Sequence, residues 1–182
     1  TALDNSYQMY YDPETEAPLP DNNMKSRRRE QTVNFYAGLS KSFGEKLSAD
    51  VSLAAEQYHT DMWNEWSLYP VANLTYLPAP GHILQFSLSS DKEYPEYWSM
   101  QNSTSYMGAY SEIQGNPFLK PATNYETTLS YILKGKYVLS AYYSRTKNKE
   151  MQTLYQSPER LVEIYKCFNF DFSEQAGLVM VV

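Results

Sequence analysis

The chain has 182 residues, with 21 acidic and 15 basic side chains, a formal net charge of −6 and a mean hydropathy of −0.58. An acidic balance without a basic stripe argues against nucleic acid as a partner, and no stretch approaches the ~20 consecutive apolar residues that a membrane helix needs. A lone Cys167 cannot build a disulfide framework or a cysteine metal site.

Residues 1–25 carry Asp12-Pro13, Pro18, Pro20 and Asp21-Asn22-Asn23 and read as loop, with a short strand at 7–11. The segment 1–28 is assigned to an extended N-terminal stretch, and 29–182 to one β-domain. Arg27-Arg28-Arg29 is the only basic run, and with Glu30 directly after it reads as a solvated strand end. The first strand of the domain spans 31–41. It places Val33, Phe35, Ala37 and Leu39 on one face and Asn34, Tyr36, Gly38 and Ser40 on the other. After a turn at Phe43-Gly44-Glu45-Lys46, Leu47, Ala49, Val51, Leu53 and Ala55 repeat the pattern against Ser48, Asp50, Ser52 and Glu56. A period of two held this long is that of a strand.

The chain turns at 60–64. Trp66, Leu68, Ala72, Leu74 and Tyr76 form the next apolar face, interrupted by Pro70. Proline cannot donate to a ladder, so a bulge or pairing gap is expected there. Pro78-Ala79-Pro80-Gly81 turns back into 83–89, where Leu84, Phe86 and Leu88 alternate with Gln85, Ser87 and Ser89. A long loop then runs from about 91 to 123. Pro95 is placed to start a single helical turn, while 101–110 shows no period. Strands at 125–133 and 137–155 follow, joined at Gly135-Lys136. Ser157-Pro158-Glu159-Arg160 turns the chain, and 161–172 returns with ambiguous alternation before the apolar end at 178–182. The first, third and fifth connections are tight, and the long loop falls in the other set. In an up-and-down meander the two sets lie at opposite ends, as short periplasmic turns and long outer loops do in bacterial barrels. A soluble meander would obey the same parity.

Gly115-Asn116-Pro117-Phe118-Leu119-Lys120-Pro121, followed by Glu126 on a tyrosine-rich strand, resembles the GNPxLxP…E segment of TonB-dependent outer-membrane receptors. The flanking text, Leu84-Gln85-Phe86-Ser87-Leu88 and Ala141-Tyr142-Tyr143-Ser144-Arg145-Thr146-Lys147, resembles the Bacteroidetes-type outer-membrane β-barrel family within that group. The family's Arg-Pro-Ser-Tyr-Trp stands here as Tyr94-Pro95-Glu96-Tyr97-Trp98. The resemblance runs from about Gln31 to the end. It implies an all-β chain, an antiparallel up-and-down meander forming part of a transmembrane β-barrel in the outer membrane of a Gram-negative cell. It also implies uptake of a nutrient too large for porins: a glycan, metal chelate or peptide. The partners it implies are outer-membrane lipid, a plug domain, a TonB-type energy-coupling complex and a surface lipoprotein. The chain departs from the family in showing no plug, no energy-coupling box and no closing strands. It has no leader at Thr1 and seven or eight strands against the ~22 of a large transporter, so it reads as a piece of something larger.

No catalytic constellation emerges. His59-x-Asp61 beside Glu56 is weak as a metal site, and His82 is the only other histidine. Gly-x-Ser-x-Gly and phosphate-loop motifs are absent. No enzyme, cofactor or metal is expected. The aromatic loop residues Trp63, Tyr94, Tyr97, Trp98, Tyr106 and Tyr110 are the candidate ligand contacts, since their rings can stack on sugars or flat ligands. The competing role for each is packing at a barrel rim. Gly115, Asn116, Pro117, Leu119 and Pro121 are expected to shape the loop's return to the sheet. The alternative class is a soluble, extracellular glycan-binding β-sandwich or small barrel, whose apolar faces would have to converge into one core. An excised wall would bare Val33, Val51, Leu74 and Leu129 and self-associate through them.

Overall fold

The structure is a computed structural model that describes residues 2–12, 14–18, 20 and 24–182. In chain order the elements are β1 (Ala2–Gln8), β2 (Met24–Phe43), β3 (Leu47–Thr60), β4 (Asn64–Tyr76), β5 (His82–Glu93), α1 (Tyr97–Met100), β6 (Thr104–Gly108), β7 (Ser111–Gln114), β8 (Ala122–Leu133), β9 (Tyr137–Gln156) and β10 (Glu163–Val181). The ten strands form one sheet in the order β1-β2-β3-β4-β5-β8-β9-β10-β7-β6. From β1 to β10 every neighbour is antiparallel. The meander expected from connection parity is therefore present. No helix among the described residues is long and apolar enough to cross a membrane.

The register explains why alternate residues were chosen. One row across the sheet runs Leu39, Val51, Ala72, Leu88, Thr127, Tyr143 and Ala176. The next row toward the tight turns runs Lys41, Ala49, Leu74, Phe86, Leu129, Ala141 and Leu178, and the one after it Phe43, Leu47, Tyr76, Leu84, Tyr131, Leu139 and Met180. The intervening row, on the opposite face, is Ser40, Asp50, Asn73, Ser87, Thr128, Tyr142 and Gly177. One face is thus apolar with an aromatic lower edge, and the other is polar.

The apolar rows do not fold inward. Leu39 is 72% exposed and Leu178 77% exposed. Among the described residues the buried apolar cluster is Met100, Leu119 and Cys167, beneath the long loop. A soluble sandwich would have to bury those rows against one another. An outward apolar band opposite a polar interior is instead the layout of a transmembrane barrel wall. β2 and β9 are each 20 residues long, about twice the 9–11 residues a tilted membrane strand needs, so their outer halves stand beyond the bilayer.

Several expectations are corrected. Residues 1–25 are not simply loop, because β1 pairs with Met24–Glu30 of β2. The 7–11 strand lies mostly outside β1. Residues 101–110 are not structureless: β6 and β7 form a hairpin whose second arm runs parallel to β10 at Glu163–Lys166. The tight turn before β9 occupies 134–136, with Lys134 and Gly135 at φ 52° and 67°, and a glycine relieves the Cβ cost of that conformation. The two apolar segments at the C-terminal end are one 19-residue strand. At Pro70 the pairing gap is real. β4 pairs with β5 only from Ala72 to Tyr76, while its other edge stays on β3.

Candidate functional site

Above Pro70 the two halves of the wall are joined by side chains instead of a backbone ladder. Ser90 Oγ donates to the Pro70 carbonyl at 2.8 Å. Higher up, Glu56 of β3 accepts Lys92 Nζ at 2.9 Å and the Tyr94 hydroxyl at 2.6 Å. The Lys92 and Glu56 side chains are 7% and 11% exposed. The lysine also sits 4.6 Å from the Tyr58 ring centroid and 5.2 Å from that of Tyr94. Tyr58 donates to Glu30 Oε1 at 2.6 Å, Arg28 Nε donates to the same oxygen at 2.8 Å, and the Tyr97 hydroxyl reaches Glu30 Oε2 at 3.2 Å. Burial first, and then the hydrogen bond to the Glu56 carboxylate, push the Tyr94 phenol up from its ordinary pKa. The root of the long loop is therefore fastened to β2 and β3 by a low-dielectric network in which each carboxylate has a cation and a phenol.

The loop's return is fastened to the other side. Gly115 passes so close to residue 101 that a Cβ on it would lie 1.7 Å from the Gln101 carbonyl oxygen. Its N–H donates to Ser103 O, and that of Asn116 donates to Ser99 O at 2.6 Å. The Asn116 side chain accepts from Phe118 N–H and donates to Cys167 O at 2.9 Å. Leu119 is fully buried against Met100 and Cys167. Asn169 then holds the Lys120 backbone from both sides, accepting its N–H at 2.7 Å and donating to its carbonyl at 3.0 Å, and Asn148 Nδ2 reaches Pro121 O. The hairpin tip is locked by Arg160, which donates to the buried Glu112 at 2.9 Å.

Between these anchors the candidate aromatics divide into groups. Tyr94 and Tyr97 belong to the network. Trp98 is half exposed, its indole N–H donating to the Glu96 carboxylate. Tyr106 and Tyr110 on the hairpin are 67% and 64% exposed. Trp63 stands apart, with Lys120 Nζ 4.3 Å from its ring and Glu65 3.2 Å from the same lysine. The structure does not bring the six into one pocket. Glu56 is committed to Lys92 and Tyr94, while His59 and Asp61 are exposed beside it.

Sequence reasoning missed Arg28, Glu30, Glu56, Tyr58 and Lys92. Arg28 is not a solvated strand end, since it is engaged by Glu30 and Tyr58. Its signal was available in the alternation of β2, which puts Arg28, Glu30, Thr32 and Asn34 on the polar face.

The profile of the outer membrane protein β-barrel family matches residues 1–182. The chain belongs to that family. No curated relative matches it. Among solved structures, the barrel segment is similar to the siderophore receptor PirA from Acinetobacter baumannii, with 14% identity, a TM-score of 0.59, and coverage of 86% of this chain and 25% of that one. It is also similar to the Serratia marcescens hemophore receptor HasR, solved with its hemophore HasA and heme, with 10% identity, a TM-score of 0.66, and coverage of 87% and 34%. The third is PirA from Pseudomonas aeruginosa, with 13% identity, a TM-score of 0.64, and coverage of 96% and 34%. The chain thus spans a quarter to a third of these receptors. The fold is that of part of the barrel in these receptors, and the outer-membrane location expected of the chain holds for its family.

Proposed function

We propose that the chain forms part of the wall and mouth of an outer-membrane receptor for nutrient uptake, and that its outer loops capture the ligand. The observation that carries this reading is the pairing of a lipid-ready apolar face with a long loop that is anchored at both roots yet presents Trp98, Tyr106 and Tyr110 to solvent. Fixed roots lower the ordering cost of binding, and exposed rings supply contact area at small entropic cost. The wall itself is passive, a sheet whose successive strands pair with one another, while the edges of β2 beyond Glu30 and of β10 beyond Lys166 have no partner strand among the described residues and would need one within lipid. A plug domain, a TonB-type complex and a surface lipoprotein are the partners this reading requires. Lipid covers the apolar rows in place of self-association. The role is non-enzymatic, and glycans, metal chelates and peptides remain the candidate cargo classes.

The test uses cells carrying Trp98→Ala with Tyr106→Ala in the full-length protein. They are grown with a soluble glycan mixture, ferric enterobactin, haem or a tryptic digest as the limiting nutrient. Loss of growth on one class, with barrel abundance unchanged, is the expected result. Growth equal to the parent on all four would sink the reading.

A further inference from the structure

The three tight turns, which face the periplasm in such barrels, are not independent. Leu77 N–H donates to Lys46 O at 2.7 Å, and Lys134 N–H donates to Gly81 O at 2.5 Å, so the turns at 44–46, 77–81 and 134–136 make one continuous rim. Within it lies a cavity of about 460 Å3, lined by Glu45, Lys46, the Leu77–Ile83 backbone turn and Gly135. Pro78 and Pro80 stiffen its wall.

The charge, the apolar setting and the aromatic surroundings of the rim point to one ligand class. The turns hold Lys46, Lys134 and Lys136 against a single Glu45, whereas the outer loops carry Asp12, Glu14, Glu16, Asp61, Glu96 and Glu159. Lys46, Lys134 and Lys136 make no ion pair among the described residues. His82, which lines the cavity, shares the outward face of Leu84 and Phe86, and its Nδ1 lies 2.6 Å from the Tyr131 hydroxyl. The aromatic row of Phe43, Tyr76 and Tyr131 lies just above, at the level where ring-bearing residues mark the edge of a bilayer. Lys136 Nζ rests 5.2 Å from the Tyr137 ring centroid at that level.

We propose that this rim is a binding site for the phosphodiester headgroup of a phospholipid in the periplasmic leaflet. Lys46 in the lining and Lys134, whose side chain passes beside Gly81 of the lining, face the phosphate, His82 offers a further polar edge on the outward face, and Leu77 and Pro80 meet the glycerol and upper acyl carbons. A soluble anion would use the lysines but would have no need of the apolar lining or of a position beside the lipid-facing rows. The proposal rests on the membrane-wall reading, though not on any ligand at the mouth.

The test is titration of phosphatidylglycerol into the full chain in dodecyl maltoside micelles, with bound lipid counted by native mass spectrometry. Lys46→Gln and Lys134→Gln are each expected to weaken binding about fivefold, and Glu45→Gln to strengthen it. Leu77→Trp, which fills the cavity and leaves the lysines in place, is expected to abolish the specific bound lipid. Unchanged binding in both lysine variants would overturn the proposal. So would displacement of the lipid by an equal concentration of inorganic phosphate, or cross-linking of these turns to another polypeptide where lipid should sit. Failure of ligand capture at the mouth would leave these outcomes unaffected, which separates the two claims.

Discussion

A charge placed at Leu39 tests the orientation of the whole sheet. Leu39 lies four residues from Phe43, whose row marks the turn-side edge of the apolar face. At ~3.4 Å per residue that is about 14 Å along the strand, or roughly 10 Å of height at a tilt of about 40°. The apolar band of such a barrel is about 25 Å tall, so Leu39 sits near its middle, where an arginine costs about 2–4 kcal/mol. The neighbouring Ser40 points to the polar face, in the row of Asp50 and Asn73, and there the same charge stays in water. Leu39→Arg should therefore lower the urea midpoint for folding into vesicles by an amount equivalent to about 2–4 kcal/mol, while Ser40→Arg should change it by less than about 0.5 kcal/mol. Lys41 gives an internal check. It lies on the outward face two residues nearer the turn, and its Nζ stands 5.1 Å from the Phe43 ring centroid, the posture of a side chain reaching down to the interface. Equal losses from Leu39→Arg and Ser40→Arg would mean that the apolar face does not meet hydrocarbon.

Three further outcomes follow from the loop anchors. Gly115→Ala drives a methyl group into the Gln101 carbonyl; a cost of about 1–3 kcal/mol should appear as faster proteolysis within 101–121, and an unchanged cleavage rate would refute the close approach. Glu56→Leu leaves Lys92 buried and uncompensated and should cost about 3–5 kcal/mol, with Lys92→Met in the same chain restoring most of it; a double variant as unstable as Glu56→Leu alone would count against the pairing. The Tyr94 phenol is raised above its ordinary value of 10.0, so the folded chain keeps a proton that the unfolded chain releases first. Its contribution is complete below pH ~10 and is lost as pH climbs past that value. Tyr94→Phe should flatten the alkaline fall in stability, and an identical slope in the variant would show that another group is responsible.

What the sequence revealed and what it hid divide along a physical line. The alternation from Val33 to Leu53 was legible because a strand shows its two faces in its own spacing, and the register turns those faces into rows without further information. The C-terminal strand was ambiguous for the same reason: Phe168 and Phe170 flank Asn169, whose amide is spent on the Lys120 and Asn148 backbones, so both faces carry large or buried groups. The β6–β7 hairpin was invisible because Ser105, Tyr106 and Met107 offer no contrast between faces. The GNPxLxP segment was legible as text, but its work lies in a backbone contact at Gly115 and an amide bridge from Asn116 to Cys167, 51 residues away, which no local pattern encodes.

Pro70 shows the same division within one feature. That a proline would interrupt the ladder followed from its missing N–H, and the β4–β5 pairing does stop beside it. What replaces the ladder could not follow, because Glu56, Lys92 and Tyr94 meet only when β3, the end of β5 and the loop root converge. A backbone ladder would have fixed β5 to β4 along its full length and carried the loop root outward with it. The gap leaves the end of β5, still laddered to β8 on its other edge, without a backbone partner on β4, and the buried ion pair from Lys92 to Glu56 ties it to β3 instead. The proline therefore sets where the loop can turn, and the charged network sets where it comes to rest. A ligand at Tyr97 or Trp98 would meet a loop whose position depends on Glu30 and Glu56, two carboxylates that belong to the wall.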